Sequence, residues 1–382
     1  MSPLFSYAFR PLFLLNGIFA VFVMLAWLVS LRGPGVLAFT VLWHGHEMLV
    51  GFALATVAGF SLTAVAQWTG RPALNGAPLA WLVFCWLAGR FAMALSSWIS
   101  ASLVTTLDML FPVLLCVLLG REIIGGRSRR NYPLVVITAV LAVLNGLYHL
   151  GVNQLLPNAD RLAIYLLIHT ILLLVTIIAG RIVPNFTANW LRKQGQHRLP
   201  VINTALDRAT LILTVLVGLA ASLLPVHPMT GALAFAAVLA HGFRLSRWRG
   251  FASLSNPLLF VLHVAYTWLP IGYALLGCTV FGWLITPSAA LHALTMGAIG
   301  SMVLAVTTRV ALGHTGRPLL AARAIVAAYW ILLVAVLIRV LGPLTGTDYR
   351  VMIDLSATGW MLAFGIFVWV YWPILTKVRV DQ

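Results

Sequence analysis

Histidines and a handful of acids are the residues of this 382-residue chain that can do chemistry, and most of these histidines stand in apolar sequence. The stretch LWHGHEMLVGFAL, residues 41–53, sets His44, His46 and Glu47 at the head of a long apolar run. His149, His169, His241, His263 and His292 lie in or at the ends of other such runs, and His314 just past one. Neutral imidazole suits iron, copper and zinc, and it stays uncharged until it is coordinated or protonated. A lone histidine in a membrane more often hydrogen-bonds a neighbouring helix than binds a ligand. Several at one depth favour ligation instead. The remaining two, His197 and His227, read as loop residues.

Composition says which elements must carry these side chains. Hydrophobic residues make up 62% and charged residues 8% of the chain, with a mean hydropathy of +1.00, so the chain is an integral membrane protein. Apolar runs long enough to cross a hydrocarbon core of roughly 30 Å as helices recur throughout. Twelve are expected, near 12–31, 42–66, 78–97, 100–119, 133–151, 161–181, 208–224, 229–245, 257–276, 288–311, 319–341 and 350–375. Breaks are expected at Gly33-Pro34-Gly35, Asn75-Gly76 and Gly125-Gly126. The fold class is all-α, a polytopic bundle of about 12 transmembrane helices forming one membrane domain over 1–382. The longest connection, 182–207, reads as basic and polar. The first span follows Arg10 like a signal sequence but is long and has no clear cleavage site, so it reads as retained.

Loop charges orient the bundle. Of the 24 lysines and arginines, only Arg32, Arg161, Arg339 and Arg350 fall on the side of the odd loops and Arg90 falls inside a span. The rest share the other side with both termini, which the positive-inside rule assigns to the cytoplasm. The net charge of +16 is thus explained by basic loops beside anionic lipid headgroups, with no nucleic-acid partner. Cys85, Cys116 and Cys278 have no CxxC spacing and read as small apolar packing residues.

With that topology, His44, His46, His149, His169 and His292 share the outer third of the membrane, while His241, His263 and His314 form an inner group. Side chains two apart on a regular helix point about 200° apart, so His44 and His46 do not share one metal without help. Glu47 either starts the helix favourably or orients an imidazole. Arg90 and Asp108 each lie about eight residues, or roughly 12 Å, from the turn that joins their helices, so they should face each other as an ion pair; the alternative is Arg90 holding a cofactor carboxylate. Tyr165, one turn before His169, offers a phenol on the same face.

Three segments, LWHGHEMLVGF, GRIVPNFTANWL (180–191) and LHALTMGAIGSMVLAVTTRVALGHTGRPL (291–319), together resemble the NnrS family of haem- and copper-containing membrane proteins linked to the nitric oxide response. The matching positions are His44, His46, Glu47, Arg181, Pro184, Asn185, His292, Arg309, His314 and Arg317. The resemblance implies haem, expected as b-type, and copper in a bacterial inner membrane, with nitric oxide as a diatomic ligand that is bound or converted. By position, His46 and His292, both entering from the outer face at nearly equal depth, are the expected haem ligands, and His149 and His169, neighbours through the short loop 152–160, the copper ligands with His44 as a third. His241 and His263 are a candidate second site, with Arg309 or Arg181 facing propionates and His314 nearby. By fold-level analogy the architecture is distantly like that of haem-copper oxidase subunits, but their histidine pairs on the seventh and tenth helices are missing here. Two other readings stand beside it: a twelve-helix secondary transporter with histidine and aspartate proton sites, and a sensor or assembly factor that holds haem without turnover. The redox partner is not written in the sequence.

Overall fold

The computed structural model describes residues 3–33, 39–283, 285–346 and 348–380. Among them lie twelve helices long and apolar enough to cross a membrane, and no strand. In chain order they are α1 Phe9–Leu31, α2 Val41–Thr69, α3 Gly76–Ala94, α4 Ala101–Gly125, α5 Arg129–Val152, α6 Ala159–Lys193, α7 Thr204–Leu223, α8 Pro228–Ser246, α9 Pro257–Val280, α10 Pro287–His314, α11 Arg323–Leu344 and α12 Tyr349–Thr376. The expected number of spans is met. Of the expected break at Gly33-Pro34-Gly35, the last two residues lie outside the described ones.

One expected loop is a helix. Hydropathy falls after residue 181, yet α6 continues to Lys193 through Pro184. Proline normally costs a helix a hydrogen bond; the helix nevertheless continues, and its polar side chains bond their own helix, Asn185 donating to the Arg181 carbonyl at 2.7 Å and the Thr187 hydroxyl to the Val183 carbonyl at 2.9 Å. The basic connection thereby shrinks to residues 194–203.

The chain divides into two compact units where the sequence reads as one domain. The first holds residues 1–167, 310–318 and 368–382; the second holds 168–309 and 319–367. In the first, α1 packs along α2, and α4 lies between α3 and α5. Buried Arg10 at the start of α1 donates to the carbonyls of Leu375 at 3.0 Å and Lys377 at 2.6 Å, placing a cation where the last turn of α12 exposes its acceptors. In the second, α9 packs against α8 and α10. There Gly272 lets Leu294 approach, Gly297 lets Trp268 approach and Gly300 lets Trp360 approach to distances that a Cβ would forbid, the small-residue packing that membrane helices use.

Both α2 and α10 contain a stretch of wider, π-helical winding. In α2 it covers Glu47–Ala53 and in α10 Ala293–Gly300, so each begins at the residue after a histidine, His46 or His292. Such insertions turn the following side chains relative to a regular helix and recur at functional sites.

Candidate metal centre

In the first unit, α2, α3, α4 and α5 converge on one polar cluster. Arg90 from α3 donates through Nη1 to Glu47 Oε1 and through Nη2 to Asp108 Oδ1. The expected Arg90–Asp108 ion pair is therefore present, with Glu47 as a second acid. Both terminal nitrogens of Arg90 are taken by the protein's own carboxylates, not left open to a cofactor. Asp108 Oδ2 accepts from Asn145 Nδ2 at 2.7 Å and from His149 Nε2 at 2.8 Å. His46 lies between the acids, with Nδ1 at 2.9 Å from Glu47 Oε1 and Nε2 at 2.7 Å from Asn145 Oδ1 and 3.2 Å from Asp108 Oδ2. Tyr148 stacks on the His46 ring with centroids 4.3 Å apart. All of these groups are buried; His46 and Asp108 are 0% exposed.

Each helix delivers its residue for a local reason. Thr40 caps α2 by accepting from Trp43 N at 3.1 Å, so His44 and His46 sit in its first turns and point apart as a regular helix requires. His44 stacks on Trp27 at 4.8 Å, while His46 faces inward. Glu47 orients the His46 imidazole directly. Gly51, one turn on, lies where a Cβ would be 2.6 Å from the Phe19 ring and 2.9 Å from Arg90 Nη1; only a glycine gives the guanidinium that room. Gly89 plays the same part against Asp108, whose Cα lies 3.2 Å from the position of a Cβ.

The donor set can hold a metal ion once Nε2 of His46 and of His149 gives up the proton that it donates here to Asn145 Oδ1 and Asp108 Oδ2. One ligand atom each from His46, Asp108 and His149 lie within 4.8 Å of one another, and two imidazoles with a carboxylate are ligands that copper accepts. Charge points the same way. Glu47 and Asp108 bring two negative charges and Arg90 one positive, so one more positive charge, a monovalent metal ion or a proton on an imidazole, balances the cluster. A buried site left uncompensated would be costly.

The other expected ligands fall elsewhere. Among the described residues no other group of three His, Cys, Asp or Glu donors meets in this way; of the expected copper set of His149, His169 and His44, only His149 belongs to this group. His169 belongs to the second unit, where Tyr273, not Tyr165, lies parallel to its ring at 6.5 Å and Gly218 leaves room for its Cβ. His292, in the same unit, donates through Nδ1 to the Ser288 carbonyl at 2.7 Å. A carbonyl only accepts, so Nδ1 carries a proton and, in the neutral imidazole, the lone pair is on Nε2. His46 and His292, the expected haem pair, belong to different units.

The inner histidines behave differently from one another. His241 has both nitrogens engaged, Nδ1 with Tyr266 Oη at 2.8 Å and Nε2 with Thr214 Oγ1 at 3.0 Å. Arg244 donates to the same phenol at 3.0 Å, to Asp207 Oδ1 at 2.6 Å and to the Thr176 carbonyl at 3.0 Å, lying against Gly180 where no Cβ would fit. With its phenolic oxygen accepting from Arg244, Tyr266 donates to His241, and the network closes without a ligand. His263 instead meets Thr187 Oγ1 through Nε2 at 2.9 Å, while its buried Nδ1 has no hydrogen-bond partner. Arg309 lies 4.3 Å from the centroid of Phe186 with Nη1 unpartnered, and His314 packs on Phe9 at 5.7 Å.

Sequence reasoning missed Asn145, Tyr148 and Asp108 as members of the centre. Asn145 was within reach, because it stands one turn before His149 and so shares its face. The Arg244–Asp207 pair and Tyr266 had no such signal. An apolar groove of 440 Å³ between Pro78, Trp81, Cys85, Leu114 and Leu118 carries no histidine and is no rival to the centre.

A family model described as NnrS protein matches residues 3–379. The chain belongs to the NnrS family. No curated protein matches it. The family match covers every residue of the polar cluster and both helices with π-helical winding, so this NnrS protein is a multi-pass membrane protein in which the buried centre and the family assignment fall on the same stretch of chain.

Proposed function

We propose that this NnrS protein holds copper and haem in a bacterial inner membrane and acts in the response to nitric oxide, binding or converting a diatomic ligand at a histidine-held metal. The observation that carries the reading is the buried convergence of His46, Asp108 and His149, whose charge calls for one more cation. Copper is assigned to these three, with Glu47, Asn145 and Tyr148 orienting them. Haem is assigned to His292, whose lone pair lies on Nε2. Bound haem would supply an iron position open to a diatomic molecule, and copper a second redox-active ion. The protein's own part is to exclude water, fix the imidazoles and balance charge.

A second reading is favoured by one detail. Both nitrogens of His46 face oxygens, so a proton on that ring satisfies the cluster as well as a metal does. In that case the centre is a proton site of a secondary transporter. Purified full-length protein decides between them through metal analysis and an absorption spectrum. The metal reading expects copper and a Soret band, with copper lowered about tenfold or more in His149→Ala and haem retained. Absence of both in freshly purified protein supports the proton reading.

A further inference from the structure

Five arginines are buried among the described residues, and three of them have evident polar partners. Arg90 is paired with Glu47 and Asp108, Arg244 with Asp207, and Arg10 meets the carbonyls that end α12. Arg309 lies over Phe186 at 4.3 Å, its Nη1 unpartnered but, among the described residues, with no polar side chain bonded to it. Arg339 is different. It is 8% exposed, near the end of α11, and among the described residues it pairs with no carboxylate. Its Nη2 donates to Ser288 Oγ at 2.9 Å and reaches the Tyr349 hydroxyl at 3.4 Å, while Nη1 is buried without any partner.

The surroundings of Arg339 add positive potential. Ser288 stands in the first turn of α10, where backbone N–H groups carry the positive end of the helix dipole. The nearest acid in sequence, Asp348, is spent on α12: its Oδ1 accepts from Arg350 N at 2.7 Å and Val351 N at 3.4 Å. A buried cation beside a helix N-terminus is costly unless an anion joins it. A way in exists, because Ser288 is half-buried and Tyr349, over whose ring the guanidinium lies at 5.6 Å, is 55% exposed. The loop charges assign this end of the bundle to the outer face.

We propose that Arg339, Ser288 and Tyr349 form a binding site for a planar oxyanion or carboxylate. Nη1 offers two unengaged N–H donors in the plane of the guanidinium, which suits coplanar oxygens, the Ser288 and Tyr349 hydroxyls held by Nη2 add donors at the rim, and the bound charge completes the balance that no protein acid supplies. The site stands apart from the His46–Asp108–His149 centre and does not need copper there. Its ligand comes either from solution or from the carboxylate of a porphyrin held by His292, whose Nδ1 bonds the carbonyl of the same Ser288.

The test uses full-length protein in detergent at constant ionic strength, with acetate, formate and nitrate as probes against chloride, read by thermal midpoint and intrinsic fluorescence. Saturable binding of the planar anions is expected, weakened about tenfold or more in Arg339→Gln and unchanged in Arg350→Gln, an exposed arginine at the same face. A second arm reconstitutes the protein with iron protoporphyrin and with its dimethyl ester. If free anions do not bind but wild type prefers the free acid and Arg339→Gln does not, the site holds and its ligand is the porphyrin carboxylate. Should Arg339→Gln fail to fold, Arg339→Lys serves, since a point charge loses the preference for planar anions over chloride. No response to the planar anions together with no preference between acid and ester overturns the proposal, as does a response that Arg339→Gln or Arg339→Lys leaves intact.

Discussion

Asp108 is the residue on which the first unit's polar cluster depends, because it accepts from Arg90, Asn145 and His149 and approaches His46. Asp108→Asn removes the acid and puts an amide where three donors converge. A broken buried pair costs about 3–5 kcal/mol, so the thermal midpoint in detergent should drop by many degrees; an unchanged midpoint would contradict the pairing. Swapping Arg90 and Asp108 should fail to rescue it, since the new aspartate would face Glu47. Asn145→Leu should cost less, about 1–3 kcal/mol for stranding two buried partners, measured the same way. The Arg90–Asp108 pair was legible from counting residues back to one turn. The rest was not, because depth says how far down a helix a residue lies but not which way it faces, and Asn145 carries no charge that demands a partner.

At the scale of the element, the centre depends on glycines in α2 and α3 that let side chains approach. Gly51→Ala would drive a methyl into the Phe19 ring and Arg90 Nη1. Overpacking of this kind costs about 1–3 kcal/mol, and here it pushes on the guanidinium that balances the acids. Gly51→Ala should therefore lower both the thermal midpoint and the metal content, whereas Gly365→Ala, with nothing within 4 Å of its Cβ position, should change neither. Equal effects of the two would mean that the close approach at Gly51 is not what shapes the cluster. The π-helical winding after His46 and His292 was invisible beforehand, since hydropathy has no period that separates it from an α-helix. The extension of α6 was hidden for a related reason. Residues 182–193 are too polar to score as membrane-spanning, yet Asn185 and Thr187 turn their polarity back onto the helix's own carbonyls.

For the whole molecule, the number of helices was legible because each must supply all its backbone hydrogen bonds over a fixed thickness, which writes length and apolarity directly into the sequence. The partition into two units was not, since it depends on which helix faces meet. Orientation is the remaining consequence of the charge pattern, and it decides which face meets the site at Arg339. Twelve spans put both ends of the chain on one side, and we propose from the positive-inside bias that this side is cytoplasmic. The connection at 194–203 then lies inside, and the turn between α7 and α8 lies outside. In a cysteine-free background, Val226→Cys, at a position 84% exposed, should react with a membrane-impermeant maleimide in cells whose outer envelope alone has been opened. Gln196→Cys should react only after the inner membrane is broken. The reverse pattern would invert the topology, move the Arg339 site to the cytoplasmic face, and change the source of its anion from the surrounding medium to the cell interior.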